Sequence, residues 1–377
     1  MYLAYQTYRY QVTGESVCLD RAARSLEAIK QNFDIGEKAF ERGYWPKPFG
    51  GLSQAHRSKD MTPDNDFDLI FGINKYMDVA PSTQYDLAAE ILKGIIDFYV
   101  RHDFDHNWLL DKGYRGLFHY IDTYHHHVGP IMICMMKMAA ERFGSDPYQG
   151  LYENLLNTHN DRFNSGFETH VQKQQRLGDA YWSHPDMTAY HSYPDHLLEK
   201  KELGIVTIGG AWSSVGESLG YLAHHDPERI DLFRSAAQHW LHEDIEPSYQ
   251  GSGWGHTRVA YDYREKKKLL TPSDIKKEIA NDKTPRPHRG MHNSPDAALS
   301  ASIWILASMG LHLANPDIGA DKFTLQVLSD LDEESLCTFK ESEKENWPSA
   351  KQHVTTQYLG PLFWLHTYYC GKYHGAW

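Results

Sequence analysis

Polar clusters able to move protons or hold an anion recur along the chain, each at the start of an apolar-periodic segment. They are Asp64-Asn65-Asp66, Asp122-Thr123-Tyr124-His125-His126-His127, Thr207 with Gly209-Gly210-Ala211-Trp212-Ser213-Ser214, His292-Asn293-Ser294-Pro295-Asp296, and His353-Val354-Thr355-Thr356. Two kinds of acid–base chemistry fit them. Asp64, Asp66 and Asp68 alternate at a helix start, and Asp296 holds the corresponding place in a later segment. Two carboxyl groups facing one cavity are the parts needed to cleave a glycosidic bond, one as acid and one as base or nucleophile. Tyr124 with His125 or His127 offers a second proton-transfer pair, since imidazole titrates near neutrality. Adjacent histidines on a helix point in different directions, so the run is poor as a metal site. Taken singly, Ser, Thr, Asp and Asn before a helix are caps more often than reactive groups. The recurrence of the clusters carries more weight than any member.

Ligand-holding side chains sit between these clusters. Gly43-Tyr44-Trp45-Pro46-Lys47-Pro48-Phe49-Gly50-Gly51 is stiff and aromatic, as a stacking platform would be. Gly251-Ser252-Gly253-Trp254-Gly255-His256-Thr257-Arg258 joins a flat ring to a His and to an Arg whose fork matches a carboxylate. His191, Trp212, His292, Asn293 and His353 complete the candidate binding set. The alternative for both loops is an ordered segment whose aromatics plug the core edge. No cofactor is expected under the glycosidic reading. A rival isoprenoid cyclase or dehydratase-isomerase would hold a magnesium diphosphate on Asp64 and Asp68, with Ser213 and Glu217 adding ligands. Its aromatic cavity would stabilise carbocations.

The elements that must position these groups are helical hairpins. Tight joints at Thr13-Gly14-Glu15-Ser16, Ala80-Pro81-Ser82-Thr83, Gly144-Ser145-Asp146-Pro147, His225-Asp226-Pro227 and Ala314-Asn315-Pro316-Asp317 each separate two segments of helical period. The expected pairs are Tyr2–Val12 with Leu19–Phe33, Phe67–Met77 with Tyr85–Arg101, and Val128–Arg142 with Tyr148–Arg162. Ala211–Ala223 with Ile230–His242 and Ala297–Leu313 with Lys322–Lys340 follow, then an unpaired helix at Gln357–Tyr369. Long joints at 34–66, 102–127, 164–210, 244–295 and 342–355 alternate with the tight ones. Such alternation puts every long loop at one end, which becomes the mouth of a site. The expected fold is all-α, one domain over residues 1–377, an (α/α) toroid of about six hairpins whose first helix is missing from the N-terminus. Uneven repeats and chemically rich loops rank a helical-repeat binding scaffold last.

Composition removes several function classes. The formal charge is −12, with no basic stripe for phosphate, so nucleic acid is not an expected partner. No run reaches the roughly 20 apolar residues of a membrane span. Cys18, Cys134, Cys337 and Cys370 are scattered without CxxC spacing and read as reduced packing residues. The first residues carry no signal-peptide pattern, so a cytoplasmic location is expected. A small molecule or oligosaccharide is the expected partner, with oligomeric state left open.

This pattern resembles the six-hairpin (α/α) toroid superfamily, which includes glycoside hydrolases, uronate lyases, sugar epimerases and terpenoid-converting enzymes. The segment Thr62-Pro63-Asp64-Asn65-Asp66 through Ile70-Phe71-Gly72-Ile73 is similar to the aspartate-bearing start of an inner helix in such proteins. The resemblance implies a ring of hairpins and a reaction at its mouth.

Overall fold

The tight joints do stop helices, and turn chemistry explains how. The structure, a computed structural model, describes residues 1–47, 51–57, 63–104, 123, 128–165, 203–207, 210–245, 258–262, 268–269, 297–330 and 356–377. The chain divides into two compact units, Met1–Asn160 with Leu365–Trp377, and Asp161–Trp364.

In the first unit, helix α1 (Tyr2–Thr13) ends on Gly14, whose φ of 71° is left-handed and whose N–H donates to the Tyr10 carbonyl. Helix α2 (Ser16–Ala39) returns along it. Helices α3 (Pro63–Met77) and α4 (Ser82–Arg101) form the next hairpin, then α5 (Val128–Phe143) and α6 (Tyr148–Ser165). The first helix of each pair is the inner one. Residues Leu3 to Tyr8 of α1 are all buried, and so is nearly every residue from Val128 to Ala139 of α5. A helix apolar on all sides is an interior helix. The return helices α2 and α4 bury one stripe, Cys18, Ala22, Leu26 and Phe33 in α2, and Ala88, Ile91, Leu92 and Ile95 in α4. Packing follows that division, with α1 against α3, α3 against α5, and α2 against α4. The last helix, α11 (Thr356–His374), joins the inner row: Tyr369 packs on Tyr5 at 5.7 Å, and His366 packs on Tyr8 at 5.5 Å.

The tight-joint end of α3 is pinned by Arg142 of α5. Its Nε donates to Asn74 Oδ1 at 2.6 Å, and its Nη2 donates to the Asn74 carbonyl at 2.9 Å and to Asp78 Oδ1 at 2.5 Å. The first long joint is shorter than expected from sequence. Helix α2 continues to Ala39, and α3 already starts at Pro63. Gly36 lets the extension fit, because a Cβ there would overlap the Tyr44 carbonyl.

An ion cluster closes the other end of the α2–α4 face. Glu41 Oε1 accepts from Arg101 Nε and Nη2 at 3.1 and 3.0 Å and pairs with His102 Nε2 at 3.0 Å. Burial acts to raise the Glu41 pKa, but hydrogen bonds and charge from His102 and Arg101 outweigh it and hold the carboxyl below its ordinary 4.5. A depressed carboxyl pKa stabilises the fold above the unfolded value and stops doing so as pH falls through the folded one. Stability is therefore expected to fall with acid below about pH 4.5, and Glu41→Gln should flatten that limb in denaturant titrations from pH 5 to pH 3. An unchanged slope in the variant would assign the acid sensitivity elsewhere.

In the second unit, α7 (Gly210–His225) and α8 (Ile230–His239) form a hairpin, and α8 runs into a π-helical turn at Trp240–Ile245. Helices α9 (Ala297–Ala314) and α10 (Ala320–Asp330) form another. Its joint is capped by Asn315, whose side chain accepts from the Asp317 N–H at 3.2 Å and donates to the Arg234 carbonyl at 3.1 Å. Helix α7 packs closely on α9, with α8 and α10 alongside. The expected helical class holds, with one addition. Strands β1 (Leu203–Thr207), β2 (Arg258–Asp262) and β3 (Lys268–Leu269) form an antiparallel sheet in the order β1-β2-β3. Helix α10 is described to Asp330, and the remainder of the expected Lys322–Lys340 segment lies outside the described residues. No helix among the described residues is long and apolar enough to cross a membrane. Cys18, Cys134 and Cys370 are buried, and Cys337 lies outside the described residues.

Candidate functional site

Helix α3 carries the acidic motif in its first two turns. Asp66 is fully buried, at 0% exposure, and its Oδ2 accepts a hydrogen bond of 2.6 Å from the Tyr99 hydroxyl on α4. Tyr99 is itself 1% exposed, so bulk water does not compete for that bond. The short O–H···O distance is that of a charge-assisted or strongly directional bond. Phe67, Ile70 and Ile73 follow Asp66 into the core and seat the helix start against its neighbours. Asp68 is half-buried, and its carbonyl accepts from the Met1 ammonium at 3.1 Å, which ties α1 to the same turn. Asp64 is the second residue of α3, and its side chain lies outside the described set.

Only one residue of the second cluster is described. The Thr123 hydroxyl shares a 2.9 Å hydrogen bond with Nε2 of His159, a fully buried histidine on α6. Tyr124, His125 and His127 themselves lie outside the described residues, as do His191, Trp254, His256, His292, Asn293, Asp296 and His353.

The aromatic platform divides in two. Tyr44 is fully buried, 4.6 Å from Phe40 and 5.9 Å from Phe98, and belongs to the core. The connector is drawn inward by the Asn32 amide, which donates to the Pro46 carbonyl at 2.9 Å. Gly43, at φ 90°, lies where a Cβ would strike the Gly94 carbonyl of α4. Trp45 is only partly buried.

In the second unit the sheet joins two segments singled out by sequence. Arg258 opens β2 directly opposite Thr207, the last residue of β1, three residues before α7 begins. Antiparallel strands lie roughly 4.8 Å apart, so Arg258 is held near the start of α7 by backbone pairing. The Trp212 and Arg258 side chains are outside the described set. Further along α7, Ser213 and Ser214 are fully buried, and Glu217 is 7% exposed one turn on. Among the described residues no three His, Cys, Asp or Glu side chains gather as a metal-holding group, and the side chain of Asp64, half of the magnesium pair, lies outside them.

Sequence reasoning gave Tyr99 and His159 no role. Tyr99 falls on the apolar stripe of α4 and reads as core. His159 sits in a helix with many polar residues, where no local signal marks burial. Compared with known proteins, the chain matches no family model, no curated protein and no solved structure.

Proposed function

We propose that this chain is a carbohydrate-active enzyme that cleaves a glycosidic bond, by hydrolysis or elimination, in an oligosaccharide containing an acidic sugar. The observation that carries the reading is Asp66, a carboxyl removed from solvent at the start of an inner helix and held by the Tyr99 hydroxyl at 2.6 Å. Burying a carboxyl is costly unless its polar atoms are engaged, and active sites are where proteins sustain that cost. Asp64 or Asp66 serves as the acid or base, with Asp296 as partner. Under elimination, Tyr124 with His125 or His127 moves the proton. Trp45 and Trp254 stack on sugar faces, and Arg258 binds the sugar carboxylate beside the α7 N-terminus, where helix-end N–H groups favour an anion. The helical hairpins are read as those of an (α/α) toroid, which the contrast between buried first helices and one-sided return helices supports.

A second reading has its own support in Ser213 and Glu217, buried one turn apart on α7, which suit a magnesium diphosphate. Thermal-shift measurements separate the two. Uronic-acid oligosaccharides form one arm, and prenyl diphosphates with magnesium form the other. A ligand at 100 times its Kd adds about 2.7 kcal/mol to the native state, enough for a clear rise in Tm. A rise with an acidic oligosaccharide in chelator is the expected result. A rise confined to prenyl diphosphate with magnesium would overturn the glycosidic reading.

A further inference from the structure

We infer that the face formed by α1, the first turn of α2 and the end of α11 is the seam of a homodimer, where a second copy of this chain packs about a twofold axis. The inference is independent of the proposed reaction and rests on exposure, packing and charge.

Five large apolar side chains among the described residues are exposed, and four of them lie here: Tyr2 (41%) and Val12 (40%) on α1, Val17 (40%) on α2 and Tyr373 (41%) on α11. Apolar side chains scattered singly over a surface need no explanation, but a set collected on one face does. Tyr2, Tyr5, Arg9 and Val12 follow one another at helical spacing and so share one side of α1. Helix α11 borders that side, with the Tyr369 ring 5.7 Å from Tyr5 and the Tyr373 ring 5.4 Å from Tyr8. Val17 stands across the tight Gly14 joint from Val12. Tyrosine and arginine are the residues enriched at the centres of interfaces. One exposed ring is already held in place. The Lys75 ammonium stands 4.5 Å from the centroid of Tyr373 and 5.1 Å from that of Tyr8, and it donates to Asp78 at 3.1 Å. A ring so fixed loses little freedom when a partner covers it, as an anchoring residue requires.

Charge selects the occupant. The whole chain carries −12, so two copies repel one another at most orientations. This face carries both signs: Arg9 Nη2 and Glu15 Oε2 pair at 2.6 Å, with side chains 25% and 45% exposed. Arg9 also donates to the Tyr5 hydroxyl at 3.3 Å, which keeps the guanidinium in the face. A cation and an anion side by side make a surface self-complementary. A twofold axis passing between them sets Arg9 of each copy opposite Glu15 of the other. A purely acidic or purely basic partner would satisfy only one of the two.

Sedimentation velocity on the purified chain, from about 1 μM to about 100 μM, reads the outcome. The expected result is a dimer within that range. Val17→Glu, a change at an exposed position, should raise the dimer Kd at least about 30-fold, the loss typical of an anchoring contact. Leu325→Glu, at the fifth exposed apolar position, on α10 of the second unit, should leave the Kd unchanged. The pairing of charges has a test of its own. Arg9→Glu and Glu15→Arg should each be monomeric, and an equimolar mixture of the two should form a heterodimer, because every charge then faces its opposite. A wild-type chain that stays monomeric overturns the inference, whether or not an amphipathic peptide binds the face. A dimer that Val17→Glu weakens no more than Leu325→Glu overturns it too, and so does a mixture of the two charge variants that stays monomeric. If either charge variant does not fold, the comparison of Val17→Glu with Leu325→Glu decides.

Discussion

Gly310→Ala is expected to lower the unfolding free energy by about 3 kcal/mol, the upper part of the range for overpacked interiors. Helices α7 and α9 approach so closely that a Cβ on Gly310 would overlap the Gly216 carbonyl group and stand 2.5 Å from the Glu217 nitrogen. A Cβ on Gly216 would in turn overlap the Ala307 carbonyl. These obstacles are backbone atoms, which cannot rotate aside as a side-chain tip can. The helices must separate, and the contacts along their whole length loosen with them. The control is Gly150→Ala on α6, where no atom lies within 4 Å of the added methyl. There the change only removes the flexibility of glycine in a helix, worth roughly 0.5–1 kcal/mol of stabilisation. One substitution type thus has opposite signs at two sites. Urea denaturation reads both, and hydrogen exchange should localise the Gly310→Ala loss to α7 and α9. Equal stability of Gly310→Ala and wild type would mean that the two helices do not meet in this way.

The same contrast between local and tertiary causes explains what could be read in the sequence. The tight joints were legible because turn chemistry is local: a left-handed Gly14, an Asn315 that caps its own turn, a proline after Asp226. Helix faces were legible because their period survives in the order of residues. The extension of α2 to Ala39 was not, since Asp34, Gly36 and Glu37 look like a helix end. Gly36 is there for the Tyr44 carbonyl, a contact made eight residues later. Tyr44 was read as a ligand platform because Trp, Pro and Gly surround it. Its burial depends on Asn32 and Gly94, which belong to other elements. Strands β1 and β2 were missed because each is short and finds its partner across some fifty residues of chain. At the candidate site, the sequence marked Asp66 by its acidic neighbours. The Tyr99 partner was hidden because a tyrosine on an apolar stripe differs from a phenylalanine by one oxygen.

Asp66→Asn is expected to leave the fold intact and to lower turnover of an acidic oligosaccharide about 10³-fold, within the range for loss of a general acid or base. The carboxamide matches the carboxyl in shape and can still accept from the Tyr99 hydroxyl, so the buried hydrogen bond survives. What it cannot do is give or take a proton at the working pH. Asp66→Ala tests the other half of the argument. It removes the acceptor and strands a buried hydroxyl that is 1% exposed, which costs about 1–3 kcal/mol beyond the small cavity. The two variants therefore separate chemistry from stability: the first should lose activity at nearly unchanged Tm, and the second should lose both. The size of the Asp66→Asn effect also distinguishes the reactions. Hydrolysis draws its protons from carboxyl groups and must suffer strongly. Elimination draws on Tyr124 and its neighbouring histidines, so Tyr124→Phe should then be the damaging change while Asp66→Asn is mild. A double Asp64→Asn, Asp66→Asn variant that is folded and fully active would rule out this hydrolytic reading, because both carboxyl groups assigned as its acid or base on α3 would be gone.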